Sequence, residues 1–257
     1  MKNHYRNLVS LAVFAQLATA ANAFVVKTEG EFDFETLYEN GELIMSAHDH
    51  GNEADLDPAD TLFYAGTNAR VARFAGSAYD FLGVPEGQTI WHLPDVEVPG
   101  MLYLGIGAED FAANDPAWAT RTINDSRLTS QTAKWFTIDL VSMTGPGKFS
   151  LWQNTDDGPL VWMDTANGIT ATDQFHLALG GHNHLNWAFT ESGLYSIGLR
   201  ATGYLDTNPN GFLDSGDTMI QSTTTNYNFG IEAVPEPATL VTMAGLCALV
   251  ARRRRKA

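Results

Sequence analysis

The sequence predicts an all-β sandwich framed by an apolar segment at each end, and three observations carry that reading. Short apolar and alternating runs recur through the middle of the chain, punctuated by Gly, Asn, Asp and Pro, at the spacing of sandwich strands. Sustained helical periodicity is absent, with only a turn or two expected around 77–83 and 110–119. Residues 24–233 form one stretch without an internal repeat or a linker, a length that a single β domain commonly reaches.

The first 23 residues read as a secretory signal peptide. Lys2 and Arg6 make a basic start, Leu8 to Ala18 is apolar, and Ala21-Asn22-Ala23 has the small-residue pattern of a cleavage site. The apolar run is too short for a bilayer core of about 30 Å, which needs roughly 20 residues. Export through the Sec machinery follows, with the mature chain starting near Phe24.

Strands are expected at 32–37, 42–47, 101–105, 134–144, 148–153, 159–163, 174–179, 184–190, 194–202 and 218–231. In 174–179 the apolar set is Phe175, Leu177 and Leu179, and beyond it Leu185, Trp187 and Phe189 continue on odd positions. His176, His182, His184 and Asn186 are therefore expected on the polar side. Were the two segments a hairpin, the loop Gly180-Gly181-His182 would set His184 opposite Ala178 and diagonal to His176. Tyr195, just after a glycine turn at a strand start, matches the tyrosine corner of immunoglobulin-like sandwiches. The expected architecture is accordingly immunoglobulin-like or jelly-roll-like, followed by a C-terminal apolar helix.

Two clusters could hold a cation. In Asp206 to Asp217, oxygen ligands fall at Asp206, Asn208, Asn210, Asp214 and Asp217, with Gly211 at the sharp turn and the Phe212 carbonyl next, which is the pattern of a Ca²⁺ loop. Pro209 and the short Asp217 depart from it, and the segment also reads as an acidic β-turn loop. His176, His182 and His184 could close on Zn²⁺ or a similar ion, with His48 and His50 as a distant supplement, or could be polar-face histidines hydrogen-bonded at a strand end.

Setting aside the basic Lys2 and Arg6, the five basic residues of the tail and Glu236, the central region keeps 8 basic and 29 acidic residues, a net charge of −21. Nucleic acid is excluded as a partner, because phosphate binding rests on Lys and Arg. Cys247 is the single cysteine and lies in the tail, so the domain has no disulfide and no thiol nucleophile. No metalloprotease, serine-hydrolase or phosphate-loop motif occurs, and the expectation is a protein that is not an enzyme.

The carboxyl end reads Val234-Pro235-Glu236-Pro237, then apolar from Ala238 to Ala251, then Arg252, Arg253, Arg254, Arg255 and Lys256. Cations beside an apolar segment stay cytoplasmic, which would leave the upstream domain outside the inner membrane while the helix anchors it. The same order is that of an ordinary tail anchor. It also resembles the PEP-CTERM sorting signal of Gram-negative bacteria, which implies exosortase recognition, removal of residues 234–257 and delivery to the surface of cells that typically make exopolysaccharide.

A second resemblance rests on His182-Asn183-His184-Leu185-Asn186-Trp187-Ala188-Phe189 with Gly193-Leu194-Tyr195, and on Trp91-His92-Leu93-Pro94 and Pro99 to Gly105 upstream. These residues resemble the choice-of-anchor M domain, and the H-x-H-x-x-W-x-F element is similar to a repeat in surface-anchored actinobacterial proteins, some associated with metal-type transporters. The resemblance implies surface location and a β fold. The expected function is that of a non-enzymatic, surface-anchored protein of the envelope or exopolysaccharide (biofilm) matrix. Alternatives are a carbohydrate-binding module that stacks sugars on Trp91, Trp118, Trp152 and Trp162, and a surface divalent-metal-binding domain.

Overall fold

Alternating side chains dominate the observed architecture as they do the sequence. The computed structural model describes residues 24–111 and 115–234. Among them, in chain order, the strands are β1 Val25–Lys27, β2 Gly30–Glu39, β3 Glu42–Met45, β4 Ala47–Asp49, β5 Ala54–Leu56, β6 Thr61–Ala65, β7 Arg70–Ala72, β8 Thr89–Leu93, β9 Leu102–Gly107, β10 Arg121–Thr122, β11 Thr132–Ala133, β12 Trp135–Thr144, β13 Phe149–Thr155, β14 Gly158–Asp164, β15 Gln174–Ala178, β16 His182–His184, β17 Asn186–Phe189, β18 Gly193–Leu205, β19 Thr218–Gln221 and β20 Thr225–Ile231. Among the described residues the helical content is two 3₁₀ turns, Thr67–Ala69 and Ser77–Leu82, the second falling where a turn was expected. The other expected turn differs: Trp118 and Thr120 make isolated bridges to Leu205 and Phe212, and residues 112–114 lie outside the described residues.

Three larger sheets result. One runs β1-β6-β20-β18-β12-β15 with β19 also on β18, one runs β14-β13-β17-β8-β7, and one runs β16-β9-β2-β4-β5 with β3 on β2. The pairs β1 with β6, β6 with β20 and β2 with β9 are parallel, so distant segments are brought side by side. The expected strand 218–231 is two strands that contact different parts of β18. The expected hairpin does not form: β15 pairs with β12 at a sheet edge, whereas β16 pairs with β9. The chain changes sheet at fully buried Leu185, between His184 and Asn186.

A large aromatic core links the three sheets, beside a smaller cluster of Leu82, Ile90, Trp152 and Ala188. Phe34 of β2 stacks on Tyr227 with ring centroids 4.0 Å apart and meets Trp187 edge-on at 5.2 Å, while Phe229 contacts Phe63, Trp187 and Phe189. Each such ring, fully buried, contributes roughly 1.5–3 kcal/mol relative to exposure. Tyr195 behaves as the sequence predicts: its hydroxyl donates to the Glu191 carbonyl at 2.8 Å and accepts from the Glu191 N–H at 3.3 Å. Burial pushes its phenol up to about 12, so the hydroxyl remains a donor. The described residues make one compact unit.

Candidate functional site

The site grows from β2, whose sequence Glu31-Phe32-Asp33-Phe34-Glu35 alternates strictly. Period-two geometry sends Phe32 and Phe34 into the core and places Glu31, Asp33 and Glu35 together on the opposite face. Three adjacent carboxylates repel one another, and burial makes that costly. Asp33 is 0% exposed and Glu35 4% exposed. Among the described residues, every ion pair made by Glu31, Asp33 and Glu109 is with a histidine, none with Lys or Arg.

Strand β9 separates β2 from β16, and its register explains how the histidines reach the carboxylates. Gly105 lies between Asp33 and His184, and Gly107 lies between Glu35 and His182. A Cβ at Gly105 would come within 2.0 Å of Asp33 Oδ1 and 2.8 Å of His182 Nε2; one at Gly107 would come within 2.0 Å of Glu35 Oε1. Side chains from both flanking strands thus occupy the volume above the glycines. His182 crosses diagonally and donates Nε2–H to Asp33 Oδ1 at 2.9 Å, and its Nδ1 lies 3.4 Å from Glu109. His184 makes the parallel crossing to Glu31 Oε1 at 3.1 Å. Its ring lies flat on Tyr103, with centroids 3.5 Å apart and planes 5° from parallel.

The far side of β2 closes the cluster. His50, just beyond β4, donates Nε2–H to Asp33 Oδ2 at 2.5 Å, and its backbone N–H bonds the Glu31 carbonyl at 3.2 Å. His48 is directed elsewhere, pairing with Asp55 at 3.0 Å. Ligand-type atoms of Glu31, His182 and His184 all lie within 4.8 Å of one another, and so do those of Glu31, Asp33 and His50. The side chains of His50, His182 and His184 are 34%, 22% and 12% exposed, so one side of the cluster opens to solvent.

Electrostatics follow from this packing. Burial opposes ionisation of Asp33, but hydrogen bonds and charge from His182, with help from His50 and His184, hold its carboxyl below the usual range. The bond to Asp33 raises His182 above the ordinary imidazole value, whereas burial lowers His184. Burial, then repulsion from Asp33 and Asp110, pushes Glu35 up to about 7. Glu35 Oε2 and His184 Nδ1 are buried polar atoms without a hydrogen-bond partner. Mixed imidazole and carboxylate donors of this kind suit a divalent transition ion.

The remaining sequence-derived residues fall elsewhere. His176 does not join His182 and His184; it is buried on β15, where Nδ1 contacts Thr137 Oγ1 at 3.0 Å and Nε2 lies 3.4 Å from Asp125. Asn186, also expected on a polar face, is fully buried and accepts from His92 at 2.8 Å. In the loop 206–217 the carboxylates accept N–H groups of the loop itself: Asp206 from Asn210 and Gly211, Asp214 from Asn208, Asn210 and Gly216, and Asp217 from Thr207 and Asp214. Phe212, whose carbonyl was the expected ligand, exposes its ring. Trp91, Trp118, Trp152 and Trp162 are all buried and provide no stacking platform, which removes the observation behind the carbohydrate-binding alternative. Glu31, Asp33 and Glu35 were missed; their signal was the alternation in β2 and the paired glycines of β9.

Comparison with known proteins bears on the tail. Residues 233–256 match the PEP-CTERM protein-sorting motif. The motif indicates an exported protein sorted to the surface of a Gram-negative bacterium and implies processing by an exosortase. The match does not extend into the β domain, and no curated protein and no solved structure matches the chain. The leader residues Ala21 and Ala23, and the tail residues from Pro235 to Arg255, lie outside the described residues. No helix among the described residues is long and apolar enough to cross a membrane.

Proposed function

We propose that the β domain is a divalent-metal-binding module displayed on the cell surface or in its exopolysaccharide matrix, acting as a binder rather than as an enzyme. The observation that carries this reading is the convergence of Glu31, Asp33, His50, His182 and His184 over the gap left by Gly105. Nitrogen and oxygen donors in that mixture favour zinc, manganese or iron over calcium, whose sites are built from oxygen. The resemblance to the choice-of-anchor M domain is in keeping with display at the surface, and the tail supplies the route to it. A sandwich-type scaffold suits the role, because strands hold ligands more rigidly than loops.

The test is thermal melting of the purified protein with a chelator and with Zn²⁺ or Mn²⁺. An ion that binds only the folded state at 100 times its Kd stabilises it by about 2.7 kcal/mol. The expected result is a rise in melting temperature that His182→Ala and His184→Ala diminish. Equal melting with chelator and with both ions would refute the metal reading.

A further inference from the structure

We infer that the site holds two divalent ions rather than one, bridged by the carboxylates of β2. This rests on the metal-binding reading above and adds the number of ions and their ligands. Two overlapping ligand groups are present, Glu31 with His182 and His184, and Glu31 with Asp33 and His50, and they share Glu31. Neither group contains all three histidines. His50 and His182 lie on opposite sides of Asp33, their rings near parallel at 13° with centroids 6.2 Å apart.

Asp33 is oriented as a bridge. Its Oδ1 bonds His182 and its Oδ2 bonds His50, so each oxygen already faces a different imidazole nitrogen. Replacing each bridging proton by a cation puts one ion with His182 and His184 and a second with His50. Asp33 then spans the two, and Glu31 has an oxygen available for each. Carboxylate-bridged ions of this kind sit about 3.5–4 Å apart. Water completes the shell on the solvent side, where His50 is most exposed.

Charge points the same way. Glu31, Asp33, Glu35 and Glu109 surround the cluster, and among the described residues no Lys or Arg pairs with any of the three whose ion pairs are known, Glu31, Asp33 and Glu109. One dication leaves at least one of the charges on Glu31, Asp33 and Glu109 uncompensated in a partly buried site, and a second dication offsets it and favours ionisation of the buried Glu35. The unpartnered Glu35 Oε2, buried beside Gly107, is a further oxygen directed to this face.

Stoichiometry decides the matter. The purified protein is dialysed against Zn²⁺ or Mn²⁺ in moderate salt and the bound metal is counted per chain. Two ions are expected, falling to one in His50→Ala and in His50→Gln, and to one in His184→Gln. Two substitutions at His50 guard against a folding defect in either. Bound Mn²⁺ should give an exchange-coupled paramagnetic spectrum that reverts to a single-ion signal in the His50 variants. One ion per chain in the wild type, or unchanged stoichiometry in both His50 variants, overturns the two-ion inference and leaves the metal-binding reading standing. No bound ion overturns both.

Discussion

Asp33 and His182 bond at 2.9 Å although β9 lies between the strands that carry them. Contact across an intervening strand is possible only where that strand presents no side chain, and Gly105 is such a position. The glycine is therefore part of the site although it offers no ligand, and it ties the geometry of β9 directly to the chemistry on either side.

Gly105→Ala tests that dependence. The new Cβ would stand 2.0 Å from Asp33 Oδ1, so the carboxylate or the imidazole must move. Overpacking of a filled site typically costs about 1–3 kcal/mol. The expected outcome is a melting temperature lowered with chelator present, together with loss of the metal-induced rise. Retention of both wild-type values would show that the space above Gly105 is not needed.

His176 sets a separate dependence on pH. Burial pushes its imidazole down to about 4, against an ordinary value of 6.5. The unfolded chain therefore takes up a proton below about pH 6.5 that the folded chain refuses until about pH 4. Its contribution is fully present above pH 6.5 and is lost as pH falls through that window, by about 2 kcal/mol at pH 5 and roughly 3 kcal/mol at pH 4. His182 is shifted upward and acts in the opposite direction, so the comparison must isolate His176. Urea denaturation at pH 7.5 and pH 5 should show a smaller loss of stability in His176→Gln than in the wild type. Equal losses would count against this assignment.

The strand alternation and the tyrosine corner were legible because both are local. Phe32 and Phe34 mark β2 from their spacing, and Tyr195 is marked by the turn before it. The histidine pair at 182 and 184 was legible as possible ligands for the same reason. Of its partners only His50 was named, as a distant supplement; Glu31 and Asp33 were not, because they reach it through a parallel pairing of β2 with β9 and an antiparallel pairing of β9 with β16. Registers between segments so far apart leave no local trace. His176 was misplaced beside His184 because nearness in sequence implied a hairpin, whereas the chain passes to another sheet between Ala178 of β15 and His182 of β16. Tyr103-Leu104-Gly105-Ile106-Gly107 did carry a usable signal: glycines alternating on one face of a strand mark a close approach. In the loop 206–217 the same side chains serve as turn formers and as calcium ligands, so composition alone does not separate the two.

Tyr195→Phe should isolate the value of the corner. The ring would keep its contact with Phe189, at 4.9 Å between centroids, while the Glu191 carbonyl and N–H lose their partner. A hydrogen bond of this type contributes about 0.5–1.5 kcal/mol net, and leaving its partners unsatisfied adds to the loss. The expected outcome is a lower urea midpoint with an unchanged slope, since the surface exposed on unfolding stays the same. A changed slope would place the effect in the unfolded chain or in a loss of two-state behaviour.

Processing of the tail can be tested independently of the metal site. The motif match covers residues 233–256, within which Pro235-Glu236-Pro237 precedes the apolar run and the arginines. Replacing that tripeptide with alanines leaves the hydrophobicity and the terminal cations in place, so insertion by the charge rule should persist while recognition is lost. Intact-mass measurement of the exported protein should then find the tail retained, with the protein held in the inner-membrane fraction, whereas the wild type is expected to be shortened and to reach the surface. Identical termini and fractionation for the two would mean that the tripeptide plays no part in sorting. Replacing Arg252 to Arg255 with glutamine perturbs a different step, because it removes cations that, beside an apolar segment, favour the cytoplasmic side. That variant should lose stable anchoring before any cleavage occurs.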